Sequence, residues 1–289
     1  LNDGADSFSV DDLMEMVEPF RAIIERRDLP LTLQAEAPDG ELARAVLDDL
    51  VALGLFSQVD GDDGDRYQLA AGQSGSAAYY RNTIVHFFVN RAITELAVAA
   101  VEGVEDEKLD RVIVDEALAL RDLLKFEFFF SPSDEFVDEI RNELDEAHSD
   151  WRSLARSGEV AAVASSLAPS VTRGVLEPFL RSYLLVSQVL VEAGDQTVDP
   201  ISLSETALAL GADLLEAGQL RTGESVSSVN VDSAIALAKY RNLLETAPDV
   251  GRRRQALHSQ LEIVVKRIDQ LTTVNTSHIP STTDVGRTT

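Results

Sequence analysis

The sequence predicts a mainly α, multi-helix protein with short β-hairpins, and three observations carry that fold class. Apolar residues recur at helical spacing along nearly the whole chain, beginning with Leu13, Met16, Val17, Phe20, Ile23 and Ile24. Residues that start and stop helices fall between the stripes, among them Ser9, Asp39, Gly54, Pro132 and Gly194. Strand-like runs are short and occur beside turn residues.

Taking the elements in order, Ser9 caps a first helix whose stripe contains Pro19, where the missing amide donor predicts a kink or split. Asp39 caps a second helix carrying Leu42, Val46, Leu50 and Leu53, and Gly54 stops it. Leu55 to Val59, the acidic run Asp60 to Asp65, and Arg66 to Leu69 then read as a hairpin. Longer helices are predicted over 77–102, 107–129 and 133–148, with Ser133 as a cap. Another runs from Thr172 to Gly194. Past Leu208, Leu214 and Leu215, a helix ends at Gly218, and a second hairpin is predicted from strands 220–222 and 226–229 around Gly223. A final helix pair covers 232–246 and 252–271, divided by Pro248 and Gly251. The two helix-then-hairpin units resemble small winged-helix pieces. The predicted organisation is a helical segment with hairpin at 1–75, a helical domain at 76–271 and a mobile tail at 272–289, where Ser, Thr and Asn replace the apolar period.

The 289 residues are 45% hydrophobic and 26% charged, enough to bury a substantial core. Fifty acidic residues face 25 basic ones, and the net charge of -25 argues against nucleic acid as a partner, because it repels the phosphate backbone. With no cysteine there is no disulfide framework, thiol nucleophile or zinc-thiolate site, which fits a reducing cytoplasm. The most apolar stretch, 83–101, is interrupted by His86, Asn90, Arg91 and Glu95, so no transmembrane span is predicted. Asp3, Asp6, Asp11 and Asp12 stand where a secretory leader is basic and then apolar, and the start at Leu1 reads as a piece of something longer.

Catalytic chemistry has few places to reside. His86, His148, His258 and His278 are too far apart for a helical metal pair. A twelve-residue calcium loop starting at Asp60 would end at Ala71 rather than at a bidentate Glu, so a solvated hairpin tip is expected. No phosphate-cradling glycine loop is present. No catalytic, cofactor or metal residue is therefore assigned.

Three groups of residues remain. On a continuous helix, Asn82 and His86 share a face, with Tyr79, Tyr80 and Arg81 nearby; the readings are a polar network between helices or between domains, and a reaction centre. Lys125 and Glu127 stand among Leu123, Leu124, Phe126, Phe128, Phe129 and Phe130; the readings are core packing with a snorkelling lysine, and a surface that receives a partner domain or acyl chain. Arg252, Arg253, Arg254, Lys266 and Arg267 accompany the apolar stripe Leu257, Leu261, Val264, Val265, Ile268 and Leu271, and that amphipathic helix either packs on its own acidic body or meets an anionic membrane surface.

Tyr79-Tyr80-Arg81-Asn82 with His86, then Leu124-Lys125-Phe126-Glu127-Phe128-Phe129, then Arg173-Gly174-Val175-Leu176-Glu177, resemble in order and spacing the C-terminal region of the PlsB-type glycerol-3-phosphate acyltransferases and their dihydroxyacetone-phosphate relatives. The resemblance implies a parent enzyme of phospholipid biosynthesis. It would move a fatty acyl group from acyl-CoA or acyl carrier protein to the sn-1 hydroxyl of glycerol 3-phosphate, peripherally at the cytoplasmic side of the cell membrane. The family's general base is a His with an Asp five positions later. Here those positions hold Arg91, Ser153, Ile263 and Thr283, so the motif is absent and the chain is expected to be inactive alone. The implied partner is the N-terminal acyltransferase domain of the same enzyme, on which this region would pack. An independent interaction module and a peripheral membrane module are the alternatives.

Overall fold

The computed structural model describes residues 7–27, 29, 39–61, 64–101, 109–157, 159–221 and 223–276. Those residues are mainly helical, and the chain divides into two compact units, Leu1–Ile84 and Val85–Thr289.

In the first unit, α1 (Val10–Arg26) opens with a capping box in which Ser9 and Asp12 satisfy each other's amides. The amide of Ser9 is the main cause holding the Asp12 carboxyl below its ordinary range. The expected split at Pro19 does not occur. Pro19 and Glu15, whose carbonyl loses its amide partner, are both exposed, so the missing bond is not an orphan in the core. Asp39 caps α2 (Gly40–Ala52) as predicted, and Gly54 leaves it at φ +71. The first hairpin is β1 (Phe56–Gly61) with β2 (Gly64–Leu69), antiparallel and pairing Phe56 with Leu69 through Gly61 with Gly64. Asp62 and Asp63 of the acidic run lie outside the described residues. Phe8 adds a bridge to Tyr67, and Phe8, Val10, Leu47 and Tyr67 form the core of this unit. The Tyr67 hydroxyl donates to Asp48 at 3.1 Å. A short helix, α3 (Ser74–Asn82), completes it.

The second unit is a helical bundle. Its helices are α4 (Val89–Ala99), α5 (Leu109–Leu124), α6 (Ser133–Ala147), α7 (Trp151–Arg156), α8 (Val160–Ser166), α9 (Thr172–Glu192), α10 (Pro200–Glu216), α11 (Ser228–Tyr240) and α12 (Val250–Thr276). Ser133 is the first helical residue rather than a side-chain cap. The predicted ends at 102 and 107 lie outside the described residues, and α12 runs five residues past Leu271. Helix α9 passes through the middle, touching α4, α10, α11 and α12. It is long and apolar enough to cross a membrane, but 61% of its most apolar window is buried within the bundle.

Among the described residues the predicted second hairpin does not form. Thr222 lies outside the described residues, Gly223–Val226 form a 3-10 turn, and α11 begins at Ser228. Tertiary contacts override the strand propensity of the valines: the Ser182 hydroxyl of α9 donates to the Ser225 carbonyl at 2.6 Å, and Val226 lies against Gly211 of α10. A Cβ on Gly211 would sit 2.9 Å from Leu185 and 3.0 Å from Val226, so glycine permits this approach.

Candidate functional site

The predicted helix over 77–102 is broken, which dismantles the expected Asn82–His86 face. The Thr83 hydroxyl donates to the Tyr80 carbonyl at 2.7 Å, and the β-branched run Thr83-Ile84-Val85 disfavours further helix. A 3-10 turn, Val85–Phe88, follows. Tyr79 and Tyr80 are exposed on α3 with their rings edge to face at 5.8 Å, and Arg81 donates to Asn82 at 3.0 Å. His86 is exposed against Phe87, their rings 3.9 Å apart. Arg81 and Asn82 belong to the first unit and His86 to the second.

The side chains of the 125–130 segment divide between packed and exposed positions. The chain leaves helix after Leu124, so its side chains diverge. Phe128 packs edge-on to Phe179 at 5.1 Å and Phe130 to Phe136 at 5.5 Å, while Phe126 is exposed and Phe129 stands wholly in solvent. Lys125 donates to Asp122 at 2.7 Å and lies over the Tyr240 ring, 3.2 Å from its centroid. Asp122 also accepts from Arg241 at 2.6 Å. Burial pushes the Asp122 carboxyl up, but its two cationic donors outweigh this and hold it below its usual range. Glu127 Oε1 and the Tyr183 hydroxyl are both buried without a hydrogen-bond partner among the described residues, and burial raises the Glu127 pKa to about 7. Burial, followed by the Glu127 charge, pushes the Tyr183 hydroxyl well above its ordinary value.

The basic set on α12 is largely consumed by the fold. Arg254 is 0% exposed, which removes it as a membrane contact. Its guanidinium donates to the carbonyls of Leu243 (2.9 Å), Gly194 (2.6 Å) and Gln196 (2.9 Å), and burial lowers its pKa against the opposing charge of Asp195. Arg253 donates to the Arg241 carbonyl, and Arg267 reaches Glu116 at 2.7 Å. Arg252 pairs with Asp249 at the surface, and Lys266 is exposed. Leu257, Leu261, Val264, Val265 and Ile268 are buried, so the stripe serves the bundle.

One polar arrangement was not anticipated at all. Ser187 Oγ lies 3.0 Å from His258 Nδ1, and Nε2 of the same ring lies 3.5 Å from Glu262. The order imitates a nucleophile, base and orienting acid, but Ser187 is in the interior of α9, 1% exposed, and its hydroxyl reaches the Leu184 carbonyl at 2.7 Å. No substrate carbonyl has room to approach. Among the described residues no group of three or more His, Asp or Glu is placed to hold a metal ion.

Glu95, noted in the sequence only as an interruption, is the second buried anchor. It is 4% exposed on α4 and accepts from the Ser170 hydroxyl (2.6 Å) and from the amides of Val171 and Thr172 (both 3.0 Å), so its carboxylate caps α9 from another helix. Arg91 Nε lies 3.7 Å from it. Burial raises the Glu95 pKa against those donors. The charged pair Arg91 and Glu95, one helical turn apart in the most apolar stretch of the chain, was the available signal.

The family profile described as "Glycerol-3-phosphate acyltransferase C-terminal region" matches residues 1–247. The chain is 30% identical over 275 residues to the "Putative acyltransferase plsB1" of Mycobacterium tuberculosis and to that of Mycobacterium bovis, covering 93% of this chain in each case. It spans 44% of the length of these relatives.

Proposed function

Because the chain belongs to the family of glycerol-3-phosphate acyltransferase C-terminal regions, we propose that it is the non-catalytic C-terminal part of such an enzyme. The observation that carries this is chemical: none of the four histidines is followed five positions later by an aspartate. The buried Ser187 of the His258 cluster supports the same reading, since it offers no reachable nucleophile. The parent reaction moves an acyl group from acyl-CoA or acyl carrier protein to the sn-1 hydroxyl of glycerol 3-phosphate. A His deprotonates the hydroxyl, an Asp orients that imidazole, the oxygen attacks the thioester carbonyl, and the C–S bond breaks to release the carrier thiol, which takes the proton from the imidazolium. Those groups belong to the partner, an N-terminal acyltransferase domain, which this region packs on and stabilises. The product is a lipid, so the assembly works peripherally at the cytoplasmic face of the cell membrane.

The test is reconstitution. The purified chain given acyl-CoA and glycerol 3-phosphate should give no lysophosphatidate, and the acyltransferase domain should be more active or longer-lived with the chain than without it. Turnover by the chain alone, or an acyltransferase domain indifferent to it, would overturn the proposal.

A further inference from the structure

The first unit carries an open groove of about 490 Å³ between the end of α2 and the face of α3, lined by Leu53, Leu55, Gln73, Gly75, Ser76, Tyr79 and Tyr80. Leu53 is 68% exposed, Tyr79 71% and Tyr80 54%, while Leu55 forms a nearly buried floor. We propose that this groove is the docking surface of this chain for its acyltransferase domain, an inference that rests on the function proposed above.

Four observations choose this occupant. The lining contains no charged residue, yet residues 1–84 carry 17 acidic and 6 basic side chains. An uncharged patch of leucine, tyrosine, glutamine and serine on a unit of that charge suits a protein ridge with apolar and hydrogen-bonding groups at its centre and basic edges. It is repelled by an anionic lipid surface. Paired tyrosines supply large rigid contact area with a polar tip, the composition that concentrates binding energy in protein interfaces. More than half of each relative's length lies outside the match, and the matched family is a C-terminal region. The first unit is therefore the part of this chain nearest in sequence to what the relatives carry ahead of it.

Gly75 provides a variant that fills the groove while leaving its walls intact, because a Cβ placed there meets nothing within 4 Å. The full chain, as wild type, Gly75→Trp, Tyr79→Ala and Phe129→Ser, is titrated against the acyltransferase domain encoded with it, and thermal melts check folding. We expect Gly75→Trp and Tyr79→Ala to weaken binding at least tenfold with melting unchanged, and Phe129→Ser to leave it within twofold. Failure of the wild type to bind overturns the parent-enzyme reading and the groove together. Wild-type binding that both groove variants retain overturns the groove alone, as does loss confined to Phe129→Ser. Self-association of the wild-type chain that Gly75→Trp abolishes would make the occupant a second copy, which also overturns the proposal.

Discussion

The two ends of α9 are held by opposite charges delivered from different helices. At its start, Glu95 of α4 accepts from amides that have no partner within the helix; beyond its end, Arg254 of α12 donates to the carbonyls of Gly194 and Gln196 together with that of Leu243. Both follow the helix dipole, with an anion at the positive end and a cation at the negative end. They differ in what surrounds them. Glu95 has Arg91 beside it and two hydroxyls, of Ser170 and Thr172, among its donors, whereas Arg254 binds main-chain oxygens from two separate turns and so ties three chain segments together. A buried charge here acts as a backbone connector, and its importance scales with the number of segments it joins.

The most disruptive change should therefore be Arg254→Met, which fills similar volume but leaves three carbonyls without their donor. At roughly 1–3 kcal/mol for each orphaned buried group, partly relieved by water, the expected loss is about 3–5 kcal/mol. Chemical denaturation would measure it, and a loss below about 1 kcal/mol would break the comparison at its stronger end.

Glu95→Gln comes next, because the amide keeps one acceptor oxygen while losing charge and the second acceptor. A loss of about 1–3 kcal/mol is expected. The anchors lie at opposite ends of a 21-residue helix, roughly 30 Å long, so the double variant should lose the sum of the single effects. Strong non-additivity would mean that α9 transmits strain between its ends.

Glu127 sharpens the contrast, since it is part-buried without a cation among the causes of its shift. Its folded pKa of about 7 lies above the unfolded value near 4.5, so the folded state holds the proton more tightly. The stability it contributes is full below pH 4.5 and is lost as pH rises through 7. The melting difference between wild type and Glu127→Gln should drift across that window and level off above it. A difference independent of pH would remove the carboxyl from its assigned surroundings.

Local grammar explains which parts of this molecule were legible beforehand. Ser9, Asp39, Gly54 and Gly218 mark helix ends because the signal and the structure occupy the same few residues. The broken helix at Thr83 was missed because the apolar period continues through it, although the β-branched run was visible. That the second hairpin does not form among the described residues was missed because Ser182 and Gly211, which fix the 223–226 turn, are distant in sequence. The same distinction governs the candidate site. Exposure of Tyr79, Tyr80 and Phe129 and burial of Arg254 depend on neighbours that no local pattern names.

The smallest effect expected is on lipid binding by α12, where the sequence offers five basic groups and the fold leaves few free to act. Arg254 is buried, Arg253 serves a carbonyl and Arg267 is held by Glu116, leaving Arg252 and Lys266 at the surface. Each basic group near an anionic membrane is worth roughly 1 kcal/mol. Two such groups, one already paired with Asp249, compete against a chain of net charge -25, and the apolar stripe that would enter the lipid is turned into the bundle. Sedimentation with anionic and neutral vesicles at low and high salt should therefore find the same weak association for wild type and for the Arg252→Ala, Lys266→Ala double variant. Salt-sensitive binding to anionic vesicles that the double variant loses would assign α12 a membrane face despite its burial, and would separate it from the two anchors, whose charges the bundle keeps for its own backbone.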